Sequence, residues 1–364
     1  MKTNFRIVTV LMVLVMIFAA CSNPEEALKE EASKAAVKTT EEAEVTEELA
    51  DEATTETEIK DASSVKVALL TSSGGLGDRS FNDAAFAGFS KAEEDFGVEI
   101  KVVEPQSTAD YLQSLKLIAA ADYDTIMVVG NDWGDALDTV MPSYPDINFV
   151  GVNLSNEASN LSIARFADHE GSFMVGALAA LMTKTDTVGF VGGMDIPAIV
   201  RFYTGYEEGA KYVNPDIKVI PAYVGSFADP LKGKEFSTQL INEGADIIFH
   251  AAGKTGEGLF EAIASNDDVY AIGVDQDQDY ILEGRILTSM MKKVDVAAYN
   301  YIEQTVNGTI ISGTTVYGLK EGGVGMSEMK YTKDIIPTDV LDKLEEIRME
   351  IVEGKITVTD VFNQ

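Results

Sequence analysis

Residue types that build metal sites and disulfides are scarce in this 364-residue sequence. His169 and His250 are its two histidines, so a histidine-rich metal site is excluded. The single cysteine, Cys21, excludes an internal disulfide and a zinc site built from cysteines. We therefore expect a protein whose function uses neither a bound metal nor a cofactor.

Positive charge is also scarce, with 28 Lys and Arg against 60 Asp and Glu, a formal net charge of −32 at pH 7. A nucleic acid would be repelled by this charge, and no basic stripe is present to follow a phosphate backbone. The same charge argues against anionic substrates drawn in by long-range attraction. The apolar content of 46% is ample for a core, and the length allows one large or two medium domains.

The N-terminal apolar run, Ile7 to Ala20, is shorter than the about 20 residues of a comfortable membrane span. It follows a basic start, as in a secretory signal, which we assign to residues 1–20. The small residues directly before Cys21 resemble the bacterial lipobox, which implies cleavage before Cys21 and lipidation of that cysteine. The protein would then be anchored by lipid on the extracytoplasmic face of the cell membrane. An ordinary signal peptide with a chance cysteine is the alternative.

Residues 24–63 contain no aromatic residue and are dense in Glu, Thr and Ala. Such a segment has too little apolar surface and too much like charge to offset the entropy lost on ordering. We interpret residues 21–64 as an acidic, disordered tether that holds the folded part away from the membrane. A transient helix is the alternative, because Ala and Glu favour one.

From Val65 onward, short apolar runs alternate with helical patterns, which predicts an α/β protein with parallel sheets. So many strands exceed what one open sheet usually holds, and we expect two lobes. The predicted strands are 65–70, 99–104, 125–130, 148–153, 187–193, 217–224, 246–253, 269–275 and 286–291. The predicted helices include 84–96, 109–121, 171–183 and 200–213.

Polar residues that follow these strands are the candidate ligand contacts, because ligands of open parallel sheets bind beyond the carboxyl ends of the strands. Asp78 lies in the glycine-rich loop after the first strand, where helix capping is an alternative role. Asp275 ends a later strand and can accept hydrogen bonds from vicinal hydroxyls. Lys292 can donate to a sugar hydroxyl or balance Asp275.

Aromatic and glycine residues complete the candidate site. Phe227 stands between a glycine and an Asp-Pro turn, where core packing explains it poorly. Phe86 lies near the predicted helix start, although burial in the core is the commoner role for such a ring. Gly253 opens a Gly-Lys-Thr sequence, but Ile248 stands where a phosphate-binding loop needs a glycine. The backbone N–H groups of this glycine-rich stretch instead suit a ligand hydroxyl or carbonyl.

No hydrolytic constellation is present, since neither histidine lies near a nucleophile in a recognised elbow. The run Asp168-His169-Glu170 is interpreted as lining a hinge and capping the helix that follows, and a general acid and base pair is its alternative role. We therefore expect a binding protein rather than an enzyme.

Seven stretches in this order resemble the basic membrane protein family of bacterial lipoproteins, whose best-understood members are purine nucleoside receptors of ABC importers. They are GGLGDRSFN (74–82), RFADHEGSFMVGALAA (165–180), VRFYTGYEEG (200–209), GSFADPLKGKE (225–235), HAAGKTGEG (250–258), GVDQDQ (273–278) and LTSMMKKVD (287–295). The resemblance covers nearly all of residues 65–357. It implies a type I periplasmic-binding-protein fold, in which a hinge of three crossovers joins two Rossmann-like lobes.

This resemblance assigns the first lobe to residues 65–169 and about 279–312, and the second to 170–278 and about 313–364. It also assigns site residues by position. Asp78 and Asn82 would contact the base edge, Phe86 and Phe227 would stack on the base, and Gly253, Asp275 and Lys292 would hold the ribose. The sequence departs from the family where Gly77 replaces an acidic residue, where Asp83 replaces a common Gln, and where Phe86 replaces Tyr or Trp.

The function implied by the resemblance is a monomeric, lipid-anchored substrate-binding protein. It would bind a nucleoside, a purine nucleoside in particular, between its lobes and deliver it to an ABC permease. Two alternatives stay open at this point. One is a binding protein for another small polar solute such as a sugar, and the other is a surface adhesin or signalling lipoprotein.

Overall fold

The computed structural model describes residues 61–363. The predicted signal peptide, the proposed lipidation site at Cys21 and the tether up to residue 60 lie outside the described residues. Within the described part, the chain forms two six-stranded sheets, each covered by helices. None of the helices in residues 61–363 is both long and apolar enough to cross a membrane.

The first sheet has the strand order β11-β5-β4-β3-β1-β2 and the second the order β12-β10-β9-β8-β6-β7. All pairs are parallel except β10 with β12. The strands are β1 Lys66–Leu70, β2 Glu99–Val103, β3 Thr125–Val128, β4 Asn148–Val152, β5 Leu161–Phe166, β6 Thr187–Gly192, β7 Lys218–Tyr223, β8 Ile247–Ala251, β9 Tyr270–Asp275, β10 Ile286–Lys292, β11 Gly313–Tyr317 and β12 Val324–Met326.

The helices cover both faces of each sheet, and central strands such as β3 and β8 are therefore buried along their whole length. This explains why the residues of these strands are mostly apolar. The helices are α1 Phe81–Phe96, α2 Tyr111–Ala119, α3 Gly134–Val140, α4 Asp168–Met182, α5 Pro197–Val213, α6 Pro230–Asn242, α7 Glu257–Ile263, α8 Val294–Val306 and α9 Thr338–Val352.

The chain passes between the two lobes three times. It leaves the first sheet after β5, returns to the first lobe after β10, and leaves again after β11. The sequence prediction differs here, because it placed 279–312 in the first lobe and 313–364 in the second. Strand β10 in fact pairs with β9 of the second sheet, and β11 pairs with β5 of the first. The backbone pairing of these strands leaves no mark in composition, which is why the boundaries differ.

Helices α4 and α5 pack at unusually close range in the second lobe because glycines line their contact. A Cβ atom added to Gly176 of α4 would lie 2.1 Å from the Tyr206 carbonyl oxygen of α5. The reverse contact involves Gly209 of α5, where an added Cβ would lie 2.0 Å from the carbonyl oxygen of Phe173. This close pair fixes the start of α4, where the chain has just crossed from the first lobe.

Candidate functional site

A cavity lies between the lobes, at the carboxyl ends of strands from both sheets. The first lobe contributes residues after β1, β3 and β4, and the second contributes residues at the ends of β8, β9 and β10 and in the loops after β6 and β7. Centres of water-sized spheres can occupy about 110 Å³ of it. One water needs roughly 10–15 Å³ by this measure, so the cavity has room for a small molecule.

The loop before α1 is organised by the buried carboxylate of Asp78. Its two oxygens accept the backbone N–H groups of Ser80, Asn82 and Asp83 at 2.9–3.1 Å. Asp78 thus caps the helix and also lines the cavity. Burial raises the pKa of Asp78, an effect that these backbone hydrogen bonds oppose.

Asn82 also lines the cavity, with its amide held by the protein itself. Its Oδ1 accepts from the backbone N–H of Ser72 at 2.9 Å, and its Nδ2 donates to Asp78 at 2.9 Å. Asp83, one of the three departures from the family pattern, accepts hydrogen bonds from the N–H groups of Gly77 and Arg79 and so fixes the loop. Asp83 does not line the cavity, whereas Asp78 and Asn82 do.

Asp275 ends β9 inside the cavity wall with a φ of 65°, a left-handed conformation that residues other than glycine rarely adopt. Its side chain is buried, and Oδ2 accepts a hydrogen bond from the Ser80 hydroxyl of the first lobe. Among the described residues Oδ1 has no hydrogen-bond partner. Burial raises the pKa of Asp275 to about 6, although the nearby Lys292 ammonium lowers it.

Lys292 ends the neighbouring strand β10 and carries its ammonium into the same cavity. The residue is 4% exposed, and its Nζ lies 3.1 Å from Oδ1 of Asp168. The ammonium also lies 4.6 Å from the ring centroid of Phe81 and 5.5 Å from that of Phe202. Cation–π contacts stabilise such a buried charge without using its N–H groups, so those not directed at Asp168 stay available for a ligand.

The aromatic walls differ in part from the sequence prediction. Phe227 lines the cavity, and its ring covers Gly193, where an added Cβ would lie 2.3 Å from Cδ1. Phe86 does not line the cavity and packs instead against the hydrophobic core. The helix starts at Phe81, three residues earlier than expected, so Phe81 takes the place at the helix start that was predicted for Phe86.

Gly253 lines the cavity with a φ of 54° at the start of a short 3-10 helix, Gly253–Gly256. Lys254, the lysine of the Gly-Lys-Thr sequence, lines the cavity next to it. Thr255 instead serves the fold, since its hydroxyl donates to the Ser226 carbonyl at 2.8 Å. The glycine-rich sequence thus shapes the wall of a cleft.

Several residues that line the cavity were not predicted from the sequence. Asp168, assigned to a hinge and a helix cap, lines the cavity and accepts a hydrogen bond from the Asn153 amide at 2.6 Å. Asn131 and Asp132 line it from the loop after β3, where no motif drew attention to them. The rule that ligands meet the carboxyl ends of strands would have found these two residues, had it been applied to every strand.

The two histidines have structural surroundings. His250 is buried behind the cavity, with Nε2 3.0 Å from Oε1 of Gln278, and burial lowers its pKa to about 4. His169 is mostly buried beside Arg201, and burial together with that positive charge lowers its pKa to about 4. Neither histidine lines the cavity.

Hydrogen bonds close the cleft on the α1 side, between the loop before α1 and the loop after β9. Besides the contact of Ser80 with Asp275, Gln276 Nε2 donates to the Ser80 carbonyl oxygen at 2.9 Å. Gln278 Nε2 donates to the Arg79 carbonyl oxygen, also at 2.9 Å. The lobes are therefore in contact over the cavity, in a closed arrangement.

Comparison with known proteins agrees with this architecture. The family model described as "ABC transporter substrate-binding protein PnrA-like" (Bmp) matches residues 65–361. The chain belongs to the Bmp family. It is therefore an ABC transporter substrate-binding protein, in a family of binding proteins rather than enzymes. This confirms the expected family, the two-lobed fold and the expectation of a binding protein.

Individual relatives match over most of their length. The CD4+ T-cell-stimulating antigen of Listeria innocua is 36% identical over 325 residues, which is 83% of this chain and 90% of the relative. The ABC transporter nucleoside-binding protein BmpA of Lactococcus lactis is 34% identical over 316 residues, 81% of this chain and 89% of the relative. A solved ABC transporter solute-binding protein of Aeropyrum pernix is 29% identical, with a TM-score of 0.77 over 81% of this chain and 93% of that one.

Proposed function

We propose that this Bmp family protein binds a nucleoside, and specifically a purine nucleoside, in the cavity between its lobes. The observation that carries the proposal is the placement of Asp275, Lys292 and two phenyl rings around one cavity. The nucleoside-binding name of the Lactococcus relative and the motif resemblance support the same ligand class. The purine preference rests on that resemblance.

The chemistry of the walls suits the two halves of a nucleoside. The open Oδ1 of Asp275 accepts a hydrogen bond from a ribose hydroxyl, and Lys292 donates one to it. Phe227 and Phe81 offer ring faces for the base, and each stacked ring contributes about 1–3 kcal/mol. Because Asp78 and Asn82 are held by internal hydrogen bonds, they present fixed polar atoms to the edge of the base.

Both lobes contact the ligand, so the closed form binds it more tightly than an open form does. This difference in affinity sets how far binding shifts the protein toward the closed form. We propose that the closed, loaded protein is the form that the permease receives. The protein would be held at the outer face of the cell membrane by a lipid on Cys21. Metabolic labelling with a radioactive fatty acid, with and without Cys21→Ser, tests this anchor.

Calorimetric titration with inosine, guanosine and adenosine tests the ligand class, with cytidine and free ribose as comparisons. We expect heat and a raised melting temperature with the purine nucleosides, and loss of both in Asp275→Asn. The matched control is Asp268→Asn, which removes an exposed carboxylate near the opposite end of the same strand. A folded protein that binds ribose or another sugar but no nucleoside would overturn the proposal.

A further inference from the structure

Three buried side chains and the partly buried Asp360 form a row of alternating charge from the cavity to the C-terminal residues. The Lys292 ammonium lies 3.1 Å from Oδ1 of Asp168, and Oδ2 of Asp168 lies 3.5 Å from Nη1 of Arg201. Arg201 in turn donates two hydrogen bonds to Asp360, through Nε at 2.7 Å and Nη2 at 2.8 Å. The row therefore connects a cavity-lining lysine to the last residues of the chain.

The row is largely shielded from bulk solvent. The exposed fractions are 5% for the Lys292 side chain, 1% for Asp168, 2% for Arg201 and 13% for Asp360. A charge buried in this way is stable only with a close partner of opposite sign. The position of each member therefore depends in part on its charged neighbours in the row.

The C-terminal strap, residues 353–362, follows α9 and lies against α5. The backbone N–H of Thr359 donates to Glu208 of α5 at 2.9 Å, and the Phe362 ring lies 5.0 Å from the guanidinium carbon of Arg201. Burial acts to raise the pKa of Asp360, but hydrogen bonds from Arg201 outweigh it and lower that pKa below its ordinary value. Asp360 is thus held as the charged partner of Arg201.

Arg201 also reaches the hinge between the lobes. Its Nη1 donates to the carbonyl oxygen of Phe166, the last residue of β5, next to the first crossover. Asp168 begins α4 directly after that crossover. The row thus meets the chain at the point where one lobe passes into the other.

We propose that Arg201 and Asp360 are positioning residues of the ligand site, which fix the Lys292 ammonium in the cavity by holding Asp168. The C-terminal strap is in this sense part of the site, although it does not line the cavity. The proposal rests on the proposed function in one respect, that Lys292 contacts the bound ligand.

Removal of the charge of Asp360 tests the proposal. Arg201 then keeps a buried positive charge that is left in an ion pair with Asp168, so we expect Asp168 to turn from Lys292 toward Arg201. We expect Asp360→Asn to weaken inosine binding about fivefold to tenfold, in the range of mutations that act through a neighbour. Asp360→Glu retains the charge and is expected to recover most of the affinity.

Glu208→Ala is the matched control, because it removes the hydrogen bond between Glu208 and the C-terminal strap and leaves the contacts of Arg201 unchanged. We expect Glu208→Ala to lower stability but to leave inosine affinity unchanged. Equal loss of affinity in Glu208→Ala and Asp360→Asn would show that the strap acts only through general stability. Unchanged affinity in Asp360→Asn would also overturn the proposal.

A ligand-free comparison with Lys292→Met separates this inference from the proposed ligand. The double variant Lys292→Met with Asp360→Asn leaves Asp168 and Arg201 as a balanced pair. Its urea midpoint should therefore lie above the value obtained by adding the two single shifts. If Asp360→Asn alone does not fold, a double variant that does fold supports the proposal in the same way. Additive shifts of the urea midpoint, or a double variant that does not fold, would contradict the proposed coupling between Asp360 and Lys292. If the wild type binds no nucleoside, the proposed function fails and this comparison alone decides the inference.

Discussion

At the scale of single residues, the site depends on side chains that serve the fold and face the ligand cavity together. Asp78 caps α1, which leaves the hydroxyl of Ser80 free to reach Asp275 across the cleft. The sequence indicated two possible roles for Asp78, capping and ligand contact, and could not separate them because both place it in the same loop. The contact of Ser80 with Asp275 could not be inferred from the sequence, because the two residues lie 195 positions apart.

Asp275 is expected to make stability depend on pH. Its pKa is about 6 in the folded protein and 3.8 in the unfolded chain, so the folded state binds more protons between these values. The free energy of unfolding therefore falls as pH rises from about 4 to about 6, by at most about 3 kcal/mol from this residue. Asp275→Asn removes this decline in the free energy of unfolding. The variant should therefore be more stable than the wild type at pH 7.

Urea unfolding between pH 4 and pH 7 measures this effect as the difference between the wild type and Asp275→Asn. The difference isolates Asp275 from other carboxyl groups whose pKa is raised, such as Asp78. Parallel curves for the two proteins would contradict the expectation.

The rings provide a second prediction at this scale. Phe227→Ala and Phe81→Ala should each weaken nucleoside binding by about 1–3 kcal/mol, because each removes one stacking face. Phe86→Ala should leave the affinity unchanged, since Phe86 does not line the cavity. Leu231→Ala, at a position that is 78% exposed, is the control for loss of an apolar side chain. Calorimetry on folded variants measures these affinities. A loss of affinity in Phe86→Ala alone would show that Phe86, and not Phe81 or Phe227, stacks on the base.

At the scale of helices and strands, apolar runs located nine of the twelve strands in residues 61–363, among them the partly exposed β2 and β7, and missed β5, β11 and β12. All nine strands expected from apolar runs are present, as are the four helices. Strand β11, GTTVY, was missed because four of its five residues are exposed at the sheet edge. Strand β12 has three residues, too few for a pattern, and β5 runs almost directly into α4.

Errors at element ends carried over into the site. With α1 expected from Ala84, Phe86 would stand in the first turn, close to the cleft. The observed start at Phe81 moves Phe86 into the second turn and puts Phe81 at the helix start. An error of three residues in the helix start therefore led to the prediction of Phe86, instead of Phe81, as the ring that stacks on the base.

The close pair of α4 and α5 supports a stability prediction. Gly176→Ala places a methyl group 2.1 Å from a backbone oxygen, which cannot give way as a flexible side chain can. Overpacking of this kind costs about 1–3 kcal/mol, so we expect a loss of at least that order in the free energy of unfolding. Gly325→Ala, where the added atom meets nothing within 4 Å, should have little effect. Equal urea midpoints for the two variants would refute the close-packing argument.

At the scale of the whole molecule, closure of the lobes can be followed with the natural fluorophore. Trp133, the only tryptophan of the sequence, stacks on Tyr111 with ring centroids 3.8 Å apart. The Tyr111 hydroxyl accepts from the Ser73 N–H and donates to Asp132, and both of these residues line the cavity. Ligand binding should therefore change the fluorescence of Trp133.

Loss of one bond between the lobes should speed ligand release. Gln276→Ala removes the hydrogen bond to Ser80, which is worth about 1 kcal/mol to the closed form. We expect the dissociation rate to rise roughly fivefold with the association rate almost unchanged, since such changes act mainly on dissociation. Stopped-flow fluorescence of Trp133 measures both rates. Gln106→Ala, which removes a similar bond within the first lobe, is the control and should leave both rates unaltered.

The late position of β11 in the chain has a consequence for biosynthesis. This strand completes the edge of the first sheet next to β5, yet it is translated after β6 to β10 of the second sheet have been made. Neither half can finish folding as an independent unit on the ribosome, in contrast to proteins whose domains mature one after another. Pairing between such distant segments is intrinsically slow, so the nascent polypeptide should remain incompletely folded until nearly all of it has been synthesised.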